Sequence, residues 1–334
     1  RGSRSPHPKR IQRVGACRRV AMAPDTADYD YVVDASGGGD YERIQAAVDD
    51  AKSFPRERVS ILVRAGVYEE KVRIHSWNTK IDLVGESAAE TVITGDDHFD
   101  SVGRGPNSTF FTYTLQVRGN DCRMRDLTVE NSAGLDADQA VAVHVEADRA
   151  AFEGCRFLGN QDTLYAGGEG VRQYFSDCYV EGTTDFVFGG ATAVFEGCEL
   201  RSKADSYVTA ASTPEHEPFG FVFRDCRLTA EPEVSDVFLG RPWRDHAHVA
   251  VLRSHLGAHV APAGWHDWSR PEVHDTVTVA EFENEGPGAA DADERVSWAT
   301  ELTPDAAERY ATENVLDRDR DPATPGPWYR NPVE

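Results

Sequence analysis

Residues 145–165, VEADRAAFEGCRFLGNQDTLY, are followed by residues 170–189, GVRQYFSDCYVEGTTDFVFG, and the two stretches share one pattern: a short apolar strand, a polar pair, a Cys, then a second strand. The pattern continues in TAVFEGCELRSKADSYVTA (192–210) and PFGFVFRDCRLTAEPEVSDVFLG (218–240). VAVLRSHLGAHV (249–260) carries it on with Ser254 in the slot held by Cys155, Cys178, Cys198 and Cys226. Units of 20–30 residues are each too small to bury their own apolar face, so they must stack and share one core. Between 55 and 280 the strands are short, rich in Val, Phe and Tyr, and bounded by Gly, Asn and Asp, with almost no helical period. The expected fold is all-β, a right-handed parallel β-helix.

The same interval separates groups that can do chemistry. Asp185 follows Asp162 by 23 residues, and Gln161 follows Gln139 by 22. One coil apart, two Asp lie on adjacent rungs with backbones ~5 Å apart. Such a pair titrates as a coupled unit, one member ionised and one protonated near neutral pH, which is the division a nucleophile and a general acid require. Two amide donors beside two acids suit acyl transfer through a tetrahedral oxyanion and an acyl-enzyme anhydride. Strand alternation from Asp185 sends Val187 to the groove and Phe186 and Phe188 to the core. The same rule makes Gln161 and Asp162 face opposite ways unless the chain bends there, beside Gly159 and Asn160.

Composition bounds the partners. The 334 residues hold 35 Lys or Arg and 57 Asp or Glu, a formal net charge of −22. Seven of the basic residues and none of the acidic ones lie in 1–20; the remainder has 28 basic and 57 acidic residues, a net −29. Only five of the basic residues are Lys. This acidic, Lys-poor composition is read as a halophilic adaptation, with an ordinary acidic enzyme as the alternative. Nucleic acid is not an expected partner of so acidic a chain, a membrane is not expected because no apolar run of 18 residues occurs, and a monomer is expected. The basic stretch 1–21 reads as a cloning remnant or over-extended translation ahead of Met22, with no apolar stretch long enough for a signal peptide.

One domain over 28–316 is expected, between a tail at 1–27 and an irregular tail at 317–334. Helices are expected at 40–51 (DYERIQAAVDDA), as a lid on the first coil, and at 303–316 (TPDAAERYATENVL), capped by Thr303. The six Cys are no disulfide scaffold; their register suggests an interior stack of thiols, although rungs ~5 Å apart are compatible with a disulfide. His246 and His248 form a His-x-His pair without a third ligand of suitable spacing, so no metal and no cofactor are expected. The Gly-x-Ser-x-Gly elbow of serine esterases is absent.

The strings GVYEE (66–70), NSAG (131–134), QAVAV (139–143), QDTLY (161–165), DFVFG (185–189), LGRPW (239–243), GWHDW (264–268) and GPGA (286–289) occur in the order found in pectin methylesterases. The chain resembles that family over about residues 30–300, departing from it in two extra residues near AGGEGVR and in the C-terminal tail. The resemblance implies hydrolysis of methyl esters on polygalacturonate. It implies Asp185 as nucleophile, Asp162 as general acid and then base, Gln139 and Gln161 as oxyanion donors, and Arg241 as the counter-ion lowering the pKa of Asp185. It places Trp243 against a sugar ring and Thr109 on the substrate, with Tyr165, Trp265 and Trp268 as further groove residues. An extracellular location is expected from such a substrate. A polygalacturonase-like hydrolase and a noncatalytic polysaccharide-binding β-helix are the alternatives.

Overall fold

A computed structural model describes residues 26–317 and 327–329. Within them the strands form three parallel sheets, of 11 strands (sheet A), 8 strands (sheet B) and 7 strands (sheet C). Each of the central rungs contributes one strand to each sheet. One runs Ala150–Glu153, Arg156–Leu158 and Leu164–Ala166; the next runs Arg172–Ser176, Tyr179–Gly182 and Val187–Gly189. The chain is a parallel β-helix, as its repeats require.

A single left-handed residue makes the corner between sheets A and B. Gly154, Asp177, Gly197 and Asp225 all have φ between 51° and 66°, a region that Gly and Asp enter at least cost. The residue after each of these corners is Cys155, Cys178, Cys198 or Cys226, all buried. The cysteine column therefore marks the inside of a corner that takes a buried apolar side chain, Leu127 holding the same place one rung before Cys155. Each thiol donates to backbone carbonyls, as Cys198 Sγ does to the oxygen of Phe175 at 3.4 Å. The five described cysteines, Cys122 included, are free thiols rather than disulfides.

Identical positions on successive rungs stack in the core. Phe152, Phe175, Phe195 and Phe223 form one column with ring centroids 4.6–4.9 Å apart, each contact adding ~0.5–1.5 kcal/mol beyond the area it buries. The helix Ile44–Asp50, shorter than the 40–51 expected, covers the first coil with Ile44, Ala47 and Val48. Its open N-terminus has no cap of its own; Glu70 accepts from the amides of Ile44 at 2.7 Å and Gln45 at 3.1 Å. Gln45 then pairs with both backbone groups of Arg73, satisfying the edge of sheet C that would otherwise be a template for aggregation.

The single helix expected at 303–316 is two short ones, Pro304–Glu308 and Thr312–Leu316. Thr303 caps the first, its side chain accepting from the amide of Ala306. The break falls where Tyr310 turns inward to pack with Phe219, Val315 and Leu316 on the outer face of sheet A. The segment 327–329 of the tail is packed too, Tyr329 lying 5.2 Å from Tyr174. The stretch 1–21 lies outside the described residues.

Candidate active site

Asp162 and Asp185 each stand two residues before consecutive strands of sheet C, Leu164–Ala166 and Val187–Gly189. Leu164 pairs with Val187, so the two Asp occupy equivalent positions one rung apart. Their amides donate one rung onward, Asp162 to Thr184 at 3.0 Å and Asp185 to Tyr207 at 2.8 Å. Both have left-handed backbones, φ 66° and 50°. That conformation breaks strand alternation, so Gln161 and Asp162 are not obliged to face opposite ways.

The same break corrects the expectation for DFVFG. Phe186 and Val187 both face the main core, and Phe188 instead joins Tyr113, Val141 and Ala210 in a cluster on the outer face of sheet C. Counting by twos from Asp185 fails because Asp185 lies outside the strand Val187–Gly189. Phe188 is in register with Tyr165, a pairing that aligning QDTLY with DFVFG reveals.

Around the acids, the outward row of sheet C reads Gln116, His144, Tyr165, Phe188, Ala210 and Arg241, one residue per strand. Tyr165 and Phe188 lie 5.0 Å apart, with Phe110 5.1 Å from Tyr165 and Trp243 5.9 Å from Phe188. The acids thus stand beside an aromatic floor. Thr109, partly buried in the 3-10 turn Gly105–Phe111, precedes Phe110 on the flank of that floor. Trp268 is 39% exposed. Trp265 is not a groove residue: it is 1% exposed, part of the main core, and its ring N–H donates to Glu281 at 3.1 Å. Of the two Trp in GWHDW, only the second reaches the surface.

Arg241 sits three rungs past Tyr165 and returns to Asp185. Its Nε and Nη2 donate to the two carboxylate oxygens at 3.0 and 2.7 Å, a bidentate fork that fixes the plane of the carboxylate. Gly240 permits this, since a Cβ there would stand 2.0 Å from Thr209 Oγ1. Among the described residues, no hydrogen bond or ion pair engages the carboxyl of Asp162. Asp162 and Asp185 are 8% and 6% exposed, so both pay heavily to ionise.

The charges separate the pair. Burial pushes the pKa of Asp162 well above the ordinary carboxylate value, the charge of Asp185 pushes it further, and Arg241 opposes weakly. At Asp185 burial also raises the pKa, against the hydrogen bonds and charge of Arg241. The net direction at Asp185 is therefore upward: Arg241 lowers the pKa, as expected, and burial outweighs it. Asp185, which has the counter-ion, is the member that ionises first, leaving Asp162 protonated.

Gln139 and Gln161 are partly exposed on the two rungs leading to the acids. The amide of Ala140 donates to the carbonyl of Gln161 at 3.1 Å, which keeps the two glutamines at equal positions. No hydrogen bond engages either side-chain amide among the described residues. The strand after Gln139 is anchored by buried Asn131, which donates to the carbonyls of Val141, Asp97 and Thr112. The pair in His-x-His diverges: His248 is buried with Nε2 3.0 Å from Tyr310 Oη, and His246 lies at the surface 3.9 Å from Glu215.

Residues 30–319 match the family profile of pectinesterases. Pectinesterase 31 of Arabidopsis thaliana is 34% identical over 303 residues, covering 89% of this chain and 93% of that protein. Probable pectinesterase/pectinesterase inhibitor 64 of the same plant is also 34% identical, over 89% of this chain but 52% of its own length. The chain thus spans about half of the second relative and nearly all of the first. Among solved structures, pectin methylesterase from carrot superposes with a TM-score of 0.82 at 31% identity, covering 88% of this chain and 94% of the other. Pectin methylesterase PemA from Erwinia chrysanthemi gives 0.76 at 27% identity, covering 89% and 99%.

Proposed function

This chain belongs to the pectinesterase family, and on that premise we propose that it hydrolyses the methyl esters of polygalacturonate, with Asp185 as nucleophile and Asp162 as acid and base. The observation that carries the reading is the asymmetry of the acids: a bidentate Arg241 on Asp185 and no partner on Asp162. A related pectin methylesterase has been solved in complex with a hexasaccharide, at a TM-score of 0.76 and 27% identity.

The ionised oxygen of Asp185 attacks the ester carbonyl carbon, and its electron pair moves onto the carbonyl oxygen. Gln139 and Gln161 donate their amide N–H groups to that oxyanion, stabilising charge where it develops. Collapse breaks the bond to the methoxy oxygen, which takes the proton of Asp162 and leaves as methanol. The acyl group is now an anhydride with Asp185. Asp162, now a carboxylate, takes a proton from water as that water attacks the anhydride. The second collapse expels Asp185 as a carboxylate, the galacturonate acid departs, and Asp162 is again protonated. The aromatic row of Tyr165, Phe188 and Trp243, with Thr109 on its flank, offers the apolar and polar surface on which sugar rings lie.

Methanol release from methylated pectin by the wild type and by Asp185→Asn tests the reading. The wild type should release methanol without shortening the polymer, and the variant should fold and release none. Chain cleavage without methanol would make this a glycosidase or lyase on the same scaffold. Most of the turnover surviving in Asp185→Asn would remove the nucleophile assignment.

A further inference from the structure

Arg241 reaches Asp185 through a slot between two aromatic rings. Its guanidinium carbon is 4.2 Å from the centroid of Tyr207 and 3.7 Å from that of Trp268. An arginine side chain has several rotatable bonds, and a planar cation held on both faces loses that freedom before substrate arrives.

Each ring is fixed in its turn. Tyr207 stacks on Phe238 at 5.6 Å and meets the edge of His266 at 5.5 Å. The backbone carbonyl of Tyr207 also accepts the amide of Asp185, so one residue touches both the acid and its counter-ion. Trp268 is held by its backbone. Trp268 and Ser269 are both left-handed, φ 54° and 57°, a conformation that bulky residues adopt only when their surroundings impose it. The turn is tied by the amide of Trp268 to His266 Nδ1 at 2.9 Å and that of Ser269 to Asp267 at 2.8 Å. Asp267 is itself held 3.0 Å from His274.

We propose that Tyr207 and Trp268 are positioning residues that clamp Arg241 edge-on to Asp185. The clamp keeps the nucleophile aimed in both the acylation and hydrolysis steps. It rests on the reading of Asp185 as nucleophile. It also changes the expected part played by Trp268: one face of that ring is occupied by Arg241, so its first duty is to the ion pair rather than to a sugar. The titratable groups facing this assembly are Asp162 on the preceding rung, His266 against Tyr207, and the Asp267–His274 pair under the turn. All of them remain in the variants below.

The test compares wild type, Trp268→Ala, Trp268→Phe and Tyr207→Leu by two readouts: pH profiles of methanol release, and the titration of the Asp185 carboxyl followed by 13C NMR. A loosened cation stabilises the carboxylate less, so in Trp268→Ala the Asp185 titration and the acidic limb of kcat/KM should both move to higher pH. Turnover should fall ~10-fold or more with KM nearly unchanged, the pattern of a lost transition-state contribution. Trp268→Phe should restore most of both, and Tyr207→Leu should reproduce Trp268→Ala. A rise in KM alone, with the titration unmoved, would overturn the clamp and leave Trp268 as a sugar platform. If the wild type releases no methanol, the esterase reading fails, and the titration shift alone decides for or against the clamp.

Discussion

Asp162 and Asp185 hold the same place on successive rungs with the same left-handed backbone, yet Arg241 forks onto Asp185 alone. Equivalent sequence positions thereby differ in their electrostatics: burial raises the pKa of both, and only Asp185 has a counter-ion to oppose it, Arg241 on strand Phe238–Pro242, 56 residues beyond. The proposed division of labour between nucleophile and acid rests on that one asymmetric contact.

A stability cost follows for Asp162. Its pKa is raised on folding, so the unfolded chain loses its proton first as pH rises through the ordinary value of 3.8, and stability falls from there up to the folded-state pKa. Asp162→Asn removes the titration. Its melting temperature should match that of wild type below pH 3.8 and exceed it at neutral pH, by roughly 1.5 °C for each kcal/mol recovered in a chain of this length, while turnover is lost. Calorimetry across pH 3–8 checks both the sign and the window; a variant less stable than wild type at neutral pH would contradict the burial argument.

Gln139 should act on the transition state rather than on binding. Gln139→Ala is expected to lower kcat ~100-fold or more with little change in KM. Steady-state methanol release measures this directly, and an unchanged kcat would reduce Gln139 to a structural residue.

Long-range charge is the third point, because demethylated pectin is a polyanion and this chain carries −22. At 1 M salt the screening length falls to ~3 Å, which removes repulsion between separated charges. Activity and melting temperature should rise together from dilute buffer toward molar salt. Best performance in dilute buffer would refute the halophilic reading and leave the esterase reading intact.

His248 sets an acid limit on the C-terminal clasp. Burial first, and then the charge of Arg309, depress its pKa to about 4 from 6.5. Between those values the unfolded chain binds the extra proton, so stability falls as pH drops from 6.5 to about 4. His248→Gln should flatten that part of the stability profile, read as the difference in melting temperature from wild type. No change in slope would place the acid sensitivity elsewhere.

Much of this was legible in the residues. The 23-residue spacing of Asp162 and Asp185 is the spacing of Leu164 and Val187, which pair in the sheet. The recurring Cys marks the inside of a left-handed corner, and Gly or Asp just before it announces that corner. Other features were hidden for physical reasons. Alternation misplaced Phe188 because a left-handed Asp185 resets the phase. The helix at 303–316 is divided at Tyr310, whose ring packs on the outer face of sheet A, a contact that local periodicity does not announce. Trp265 and Trp268 share one motif, and only the turn at 266–269 sends one to the core and the other onto Arg241.

Repetition at the length of one coil determined the rung, the column of small residues at its corner and the heights at which the acids and amides stand, because a solenoid converts sequence interval directly into position. Tertiary structure alone decided which acid receives the counter-ion and what holds that counter-ion in place. Those depend on a guanidinium and two rings brought together from three separate strands and turns, where burial and proximity, unlike spacing, are properties of the folded chain.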